Sequence, residues 1–217
     1  GAPAILGAWS FVSDLRTGAM SGGSPEQGLL SAACAQVGQY LDLPTGTGCG
    51  MTDSKLPDFQ GGAEHASNAT IAALSGANII YESAGMYASL LSACPESLLL
   101  DNDVLGACLR VVKGMTVNEE TLAFDVTKDV CLNNKGHYLG SDQTLNVMQT
   151  EYIYPELYNR LSPSDWSDSG KPEALNEAVQ RKEHILATRF PKHVSDEVDD
   201  KIRSEFPVFL SKKAMGR

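Results

Sequence analysis

The sequence predicts an α/β fold with a parallel sheet, from three observations. Short apolar, strand-like runs alternate with longer segments of helical period, the signature of βα units, and four such units can be counted. Gly-rich or polar punctuation separates the runs. At 217 residues and 42% hydrophobic content, the chain is long enough for one sizeable core or two small ones.

The first strand is expected within residues 3–11 (PAILGAWSF). The helix after it has a well-marked start, with Ser24 as N-cap, Pro25 at the first helical position and Gln27 completing a capping box. It is expected to reach about residue 41, with Leu29, Leu30, Ala33, Val37 and Leu41 as its apolar face. A second strand follows over 45–51, then a closely packing helix of small residues over 58–75, and a third strand over 78–82. Residues 85–92 read as helical. The run 97–112 supplies LLLDN, read as a fourth strand and its end, and then a helix that stops at Gly114. Asn118 caps a helix over 119–130 with Leu122, Ala123, Val126 and Val130 on one face, before a turn NNKG and a short strand HYLG over 137–140. A short helix from Asp142 to Met148, an aromatic stretch, the polar loop 161–172 and two charged amphipathic helices over 172–188 and 195–206 complete the chain. One domain over 1–217 is expected, with βα units to about 150 and a C-terminal loop and helices over about 151–217.

Composition narrows function. Seventeen basic against twenty-seven acidic residues give a net charge of −10, which opposes a phosphate backbone, so no nucleic-acid partner is expected. The most apolar region, 95–112, is broken by charge before it could span a bilayer, so no membrane partner is expected either. The opening residues do not read as a secretion signal. Cys34, Cys49, Cys94, Cys108 and Cys131 are odd in number and widely spaced, which suits reduced thiols in a cytoplasmic protein. With no C-x-x-C or H-x-x-x-H spacing, no metal site is expected.

In a βα barrel, functional groups sit where strands end. Three polar clusters occupy such places: Asp53, Lys55, Asp58 and Gln60; Tyr81, Glu82 and Ser83; and Asp101 with Asp103. Carboxylates and rings converging on one mouth favour a cation. The same acids can equally serve as helix caps. Lys55 can be a surface ion pair with Asp53 and Asp58, a carboxylate anchor or a Schiff-base nucleophile, the surface pair being favoured on sequence alone. His137, beside Tyr138, forms a fourth cluster, with a structural role preferred; His65 and His184 read as packed or solvated helical residues. The Gly-rich stretches 17–24 and 46–50 fit no phosphate-binding pattern, Trp9 reads as a core ring and Trp166 as an interface ring.

Read in order, SDLRTGAMSGGSPEQGLL, MTDSKLPDFQGGAE, LSGANIIYESAGM, SLLLDNDVLG and PELYNRLSPSDW resemble the trimethylamine methyltransferase family. The resemblance implies the C-terminal half of a (β/α)8 TIM-type barrel, with parallel strands and helices outside. It also implies methyl transfer from a methylated amine, trimethylamine or a quaternary amine such as glycine betaine, to the Co(I) centre of a cognate corrinoid protein. The cobalamin belongs to that partner, and none is expected on this chain. Archaeal trimethylamine enzymes of the family carry pyrrolysine, and alignment from the C-terminus puts it at or beside Lys55. A true lysine favours a carboxylated quaternary amine and pyrrolysine favours trimethylamine. The expected catalytic group is Lys55, oriented by Asp53 and Gln60, with Tyr81 and Glu82 holding the cation and Asp101 shaping the pocket. Two further readings are a Schiff-base lyase or aldolase using Lys55, and an inactive half-barrel fragment whose exposed sheet edges favour homo-oligomers.

Overall fold

Short runs rich in small and β-branched residues build the sheet, and the computed structural model, which describes residues 1–133 and 136–216, separates the chain into the units Gly1–Ala178 and Val179–Arg217. In the first unit, β1 (Leu6–Ala8) leads to an antiparallel pair, β2 (Val12–Ser13) and β3 (Met20–Ser21), and then to α1 (Pro25–Tyr40), β4 (Thr45–Gly48), α2 (Phe59–Leu74) and β5 (Ile79–Tyr81). The order β1-β4-β5 is parallel throughout, with Leu6 opposite Thr45 and Gly48 opposite Tyr81. A helix crosses over between each pair, as parallel neighbours require. The fold is α/β.

Alternation along β4 gives the sheet two unlike faces. Thr45 and Thr47 are buried, and Thr45 lies against α1, where a Cβ on Gly38 would fall 1.7 Å from its hydroxyl. Gly46 and Gly48 carry aromatic rings: added Cβ atoms would stand 2.3 Å from the Tyr81 side chain and 3.1 Å from Trp9.

The Ser24 hydroxyl caps α1 by accepting from the Gln27 amide. The Gln27 side chain does not complete the expected box; it donates to the Gly48 carbonyl at 3.1 Å instead. The apolar face of α1 is also not the buried one. Gln27, Gly28, Ser31, Ala35 and Gly38 face inward, while Leu29, Leu30, Val37 and Leu41 are exposed. Contact distance is the reason, since Gly28 sits against Asn68 and Gly38 against Thr45 with no room for larger chains. α2 packs similarly through Gly61, Ala69 and Ala72, and Ala69 joins Val104 and Cys108 in the core.

Residues 85–92 are not helical. β6 (Met86–Tyr87) and β7 (Ser92–Ala93) pair antiparallel, joined through Ala88, Ser89 and Leu90 at φ of 49°, 51° and 78°. LLLDN is not a strand either: it lies inside α3 (Pro95–Lys113), which begins on Pro95 and stops at Gly114 with φ of 67°. Among the described residues, the parallel sheet of this unit therefore has three strands where four βα units were expected. The helix after Asn118 breaks at Ala123, φ 49°, into α4 (Glu119–Leu122) and α5 (Phe124–Leu132). HYLG forms turns, with the Ser141 amide donating to the Tyr138 carbonyl, and in the expected turn NNKG Asn134 and Lys135 lie outside the described residues. α6 (Asp142–Val147) is as expected, whereas the polar loop contains α7 (Pro163–Asp168), capped by Ser162.

α8 (Ala174–Thr188) runs from the first unit into the second, whose α9 (Asp196–Glu205) is capped by Ser195 and followed by a 3-10 turn, Lys213–Met215. Within it, Asp199 pairs with Arg203 at 3.0 Å. Among the described residues, no helix is long and apolar enough to cross a membrane.

Candidate functional site

Chemistry-bearing groups collect beyond the ends of the parallel strands. Trp9, just beyond β1, stacks on Tyr81 at the end of β5 with ring centroids 5.4 Å apart and planes 19° from parallel. Phe11 adjoins Trp9 at 6.3 Å. Both stacked rings can lie on the sheet because Gly46 and Gly48 have no side chains to hold them away. Trp9 keeps 45% of its surface exposed, so it is not the core ring expected from sequence. Directly after Tyr81, Glu82 turns into the left-handed region at φ 59°, and its Oε2 is buried with no hydrogen-bond partner. Burial pushes this carboxyl above its ordinary range.

Beyond β4, residues 49–58 wind into a loop held from inside. The Thr52 hydroxyl and the Asp53 amide both donate to Glu64 Oε2, at 2.6 and 2.8 Å. Gln60 donates to the other Glu64 oxygen at 2.9 Å. Gly23 fits beside this junction because a Cβ there would stand 2.3 Å from Glu64. Asp58 caps α2 by accepting from the Gly61 amide at 3.0 Å and also meets Ser54. These two contacts hold its carboxyl below the usual range.

The Asp53 carboxylate receives the hydroxyls of Ser21 and Ser89 and the amides of Gly22 and Gly23. Burial raises its pKa, but these donors outweigh burial and the carboxyl titrates below its ordinary value. Lys55 is exposed, and its ammonium donates to the Asp53 main-chain carbonyl at 2.6 Å. That contact takes the place of the surface ion pair favoured on sequence.

Behind the loop lies a buried polar chain. His65 Nδ1 is 2.8 Å from Asp101 Oδ1, and its Nε2 is 3.1 Å from the Met86 carbonyl. Asp101 Oδ2 accepts from the Gly85 amide at 2.7 Å and from Ser97 at 3.0 Å, and Ser97 meets the Tyr87 hydroxyl at 2.9 Å. Asp101 is thus 2% exposed and reaches any pocket only through the hairpin it holds. Asp103 points elsewhere, accepting from the amides of Glu156, Leu157 and Tyr158.

The structure therefore brings Lys55 and Asp53 to one loop, ties Gln60 of α2 to that loop through Glu64, and places Tyr81 and Glu82 at the adjoining strand end, linked by the Cys49 amide donating to the Tyr81 carbonyl. His137 is not brought there; it lines a cavity beside α5 with Val126 and Val130. Sequence reasoning missed Trp9, Ser21, Glu64, His65 and Ser89. The strand-end rule, applied to the first strand, could have found Trp9. Nothing in the local sequence marks the other four, which meet their partners across the fold. Among the described residues, no group of three or more His, Cys, Asp and Glu side chains converges as a metal-ligand set.

The sequence model of the trimethylamine methyltransferase family matches residues 1–215. Among curated proteins, a glycine betaine methyltransferase of Desulfitobacterium hafniense is 33% identical over 94% of this chain and 42% of its own length. A trimethylamine methyltransferase MttB of the same species is 31% identical over 94% of the chain and 40% of its own length. The MttB of Methanosarcina barkeri is 34% identical over 86% and 37%. The chain thus spans about two fifths of the length of these relatives.

Proposed function

Because the chain belongs to the trimethylamine methyltransferase family, we propose that it forms the C-terminal half of a (β/α)8 barrel that moves a methyl group from a methylated amine to the Co(I) centre of a cognate corrinoid protein. One observation carries this reading: stacked Trp9 and Tyr81 lie over Gly46 and Gly48 at the ends of parallel strands, followed by the unpartnered carboxylate oxygen of Glu82. Ring faces and a carboxylate attract a methylated ammonium, whose hydration is too weak to hold it in water against them. Cobalamin, carried by the partner, supplies the methyl acceptor. The chain's own residues have to bind the cation, orient it and exclude water.

Removing a methyl from a quaternary ammonium leaves a neutral tertiary amine, with the nitrogen keeping the bonding electron pair. Such a donor needs positioning more than activation. Lys55 in this sequence offers an ammonium beside the strand ends, suited to the carboxylate of a betaine. Asp53, through its carbonyl, and Gln60, through Glu64, orient the loop that carries it, and Asp101 shapes the pocket through the hairpin. We therefore favour a carboxylated quaternary amine as substrate. Trimethylamine is the second reading, favoured by the names of several relatives, and it requires pyrrolysine at this position to activate the amine. Nothing found supports the Schiff-base alternative.

The peptide mass across residues 51–59, measured in protein from the native host, separates the two substrates: unmodified lysine sinks the trimethylamine reading. Methyl transfer to cob(I)alamin is then followed by absorbance with glycine betaine and with trimethylamine, using the chain together with the barrel half it is proposed to complete. Trp9→Leu and Glu82→Gln should each lower the rate. Transfer that is insensitive to both substitutions would overturn the assignment of the cation site.

A further inference from the structure

We infer that His65 positions the Lys55 loop, acting through the hairpin of β6 and β7 rather than by touching substrate; the inference rests on reading that loop as part of the methyl-transfer site. His65 sits inside α2, only 1% exposed, with both ring nitrogens against acceptors. Nε2 donates to the Met86 carbonyl at 3.1 Å, and Nδ1 lies 2.8 Å from Asp101 Oδ1. The Met86 carbonyl has a second donor, the Thr52 amide at 3.1 Å. The ring of His65 and the start of the Lys55 loop therefore meet on one oxygen atom. What fixes that oxygen fixes the loop.

The hairpin continues the same connection. Its tip, Ala88, Ser89 and Leu90, holds three successive non-glycine residues in the left-handed region, a conformation that persists only where surrounding contacts impose it. The tip grips the loop. The Ala88 amide donates to the Ser54 carbonyl at 2.9 Å, the Ser89 amide to the Thr52 carbonyl at 3.1 Å, and the Ser89 hydroxyl to Asp53. Those residues lead directly into Lys55, whose ammonium is held by the Asp53 carbonyl. At the hairpin base, Asp101 accepts from the Gly85 amide, Cys94 returns a hydrogen bond to the Gly85 carbonyl, and Tyr87 packs edge-on against the His65 ring with centroids 5.2 Å apart. His65 is thus the side chain that joins α2, α3 and the strained turn.

Hydrogen exchange on the 217-residue chain, with no substrate present, tests this separately from methyl transfer. In His65→Leu, exchange should rise at least about tenfold in peptides covering 51–59 and 86–91, while 28–40 and 102–113 keep their protection, as expected when one segment opens locally. Acylation of the Lys55 amine should also become faster relative to Lys113. His65→Gln can place an N–H at the Met86 carbonyl and should restore most of the protection. If His65→Leu fails to fold, His65→Asn, which loses the donor at Met86, takes its place in the same contrast with His65→Gln. Uniform acceleration across all helices, an unchanged Lys55 rate, or a Gln variant no better protected than Leu or Asn would overturn the inference. Because no substrate enters, a failure here and a failure of the methyl-transfer reading are separately visible.

Discussion

Asp101 and Asp103 stand two positions apart on α3, about 200° around the helix, and fasten different regions by different means. On the inner side Asp101 meets a buried imidazole, a hydroxyl and one amide, and through them holds a strained turn at the strand ends. On the outer side Asp103 accepts three successive main-chain amides, and Arg110 and Lys113 grip Glu151 nearby. The inner arrangement depends on particular side chains from three elements, whereas the outer one needs only a carboxylate and a run of free amides. Particular side chains placed around a strained turn fix one geometry at the strand ends, whereas a carboxylate on a backbone run asks only for free amides.

The comparison is broken or sharpened by four substitutions or titrations. The largest effect is expected from Asp101→Ala, which strands His65 without its partner and should cost about 3–5 kcal/mol in a denaturant titration. A loss below about 1 kcal/mol would mean that the inner network is dispensable, contrary to its burial. Asp103→Ala leaves three amides without an acceptor and should cost about 1–3 kcal/mol. Hydrogen exchange should then quicken at 156–158 but not at 86–91. Faster exchange at both places would show that the two sides act as one.

Acid should loosen the grip of Asp53 on the hairpin tip. Asp53 titrates below its ordinary value in the fold, so its contribution is complete above that ordinary value and is lost as pH falls through the lower, folded one. The denaturation midpoint of the unaltered chain should therefore fall more steeply below about pH 4 than that of Asp53→Asn. Parallel curves would remove Asp53 from the network. The smallest effect belongs to Lys113→Ala, whose exposed pair with Glu151 should shift the denaturation midpoint least of the four, and less still in high salt. A larger, salt-insensitive loss would give the outer side a specificity it is not expected to have.

Much of the fold was legible in the residues. Ser24 and Pro25 marked the start of α1, Asp58 sits where α2 begins, Gly114 ends α3, and the three parallel strands lie inside the runs that predicted them. Those signals are local, because a cap or a stop is made by neighbours in sequence. The hairpin at 86–93 was not legible. Its turn uses Ala, Ser and Leu where glycine would advertise a positive φ, and it is held by Asp101, His65 and Asp53 from elsewhere in the chain. LLLDN misled for a related reason: an apolar run of this length has no period that separates a strand from a helix with one exposed side.

The candidate site divides along the same line. By itself the sequence determined the α/β class, the family to which the chain belongs, the placing of Tyr81 and Glu82 at a strand end and that of Lys55 in the segment after β4, since each depends on order and spacing along the chain. Only the tertiary structure decided that Trp9 stacks on Tyr81, that Glu82 keeps an oxygen without a partner, and that Asp53 turns its carboxylate to Ser21 and Ser89 while giving Lys55 its carbonyl. Apart from the Lys55 contact, groups tens of residues apart meet at those points, and which donor reaches which acceptor is set by how closely the glycine-lined sheet and helices approach one another.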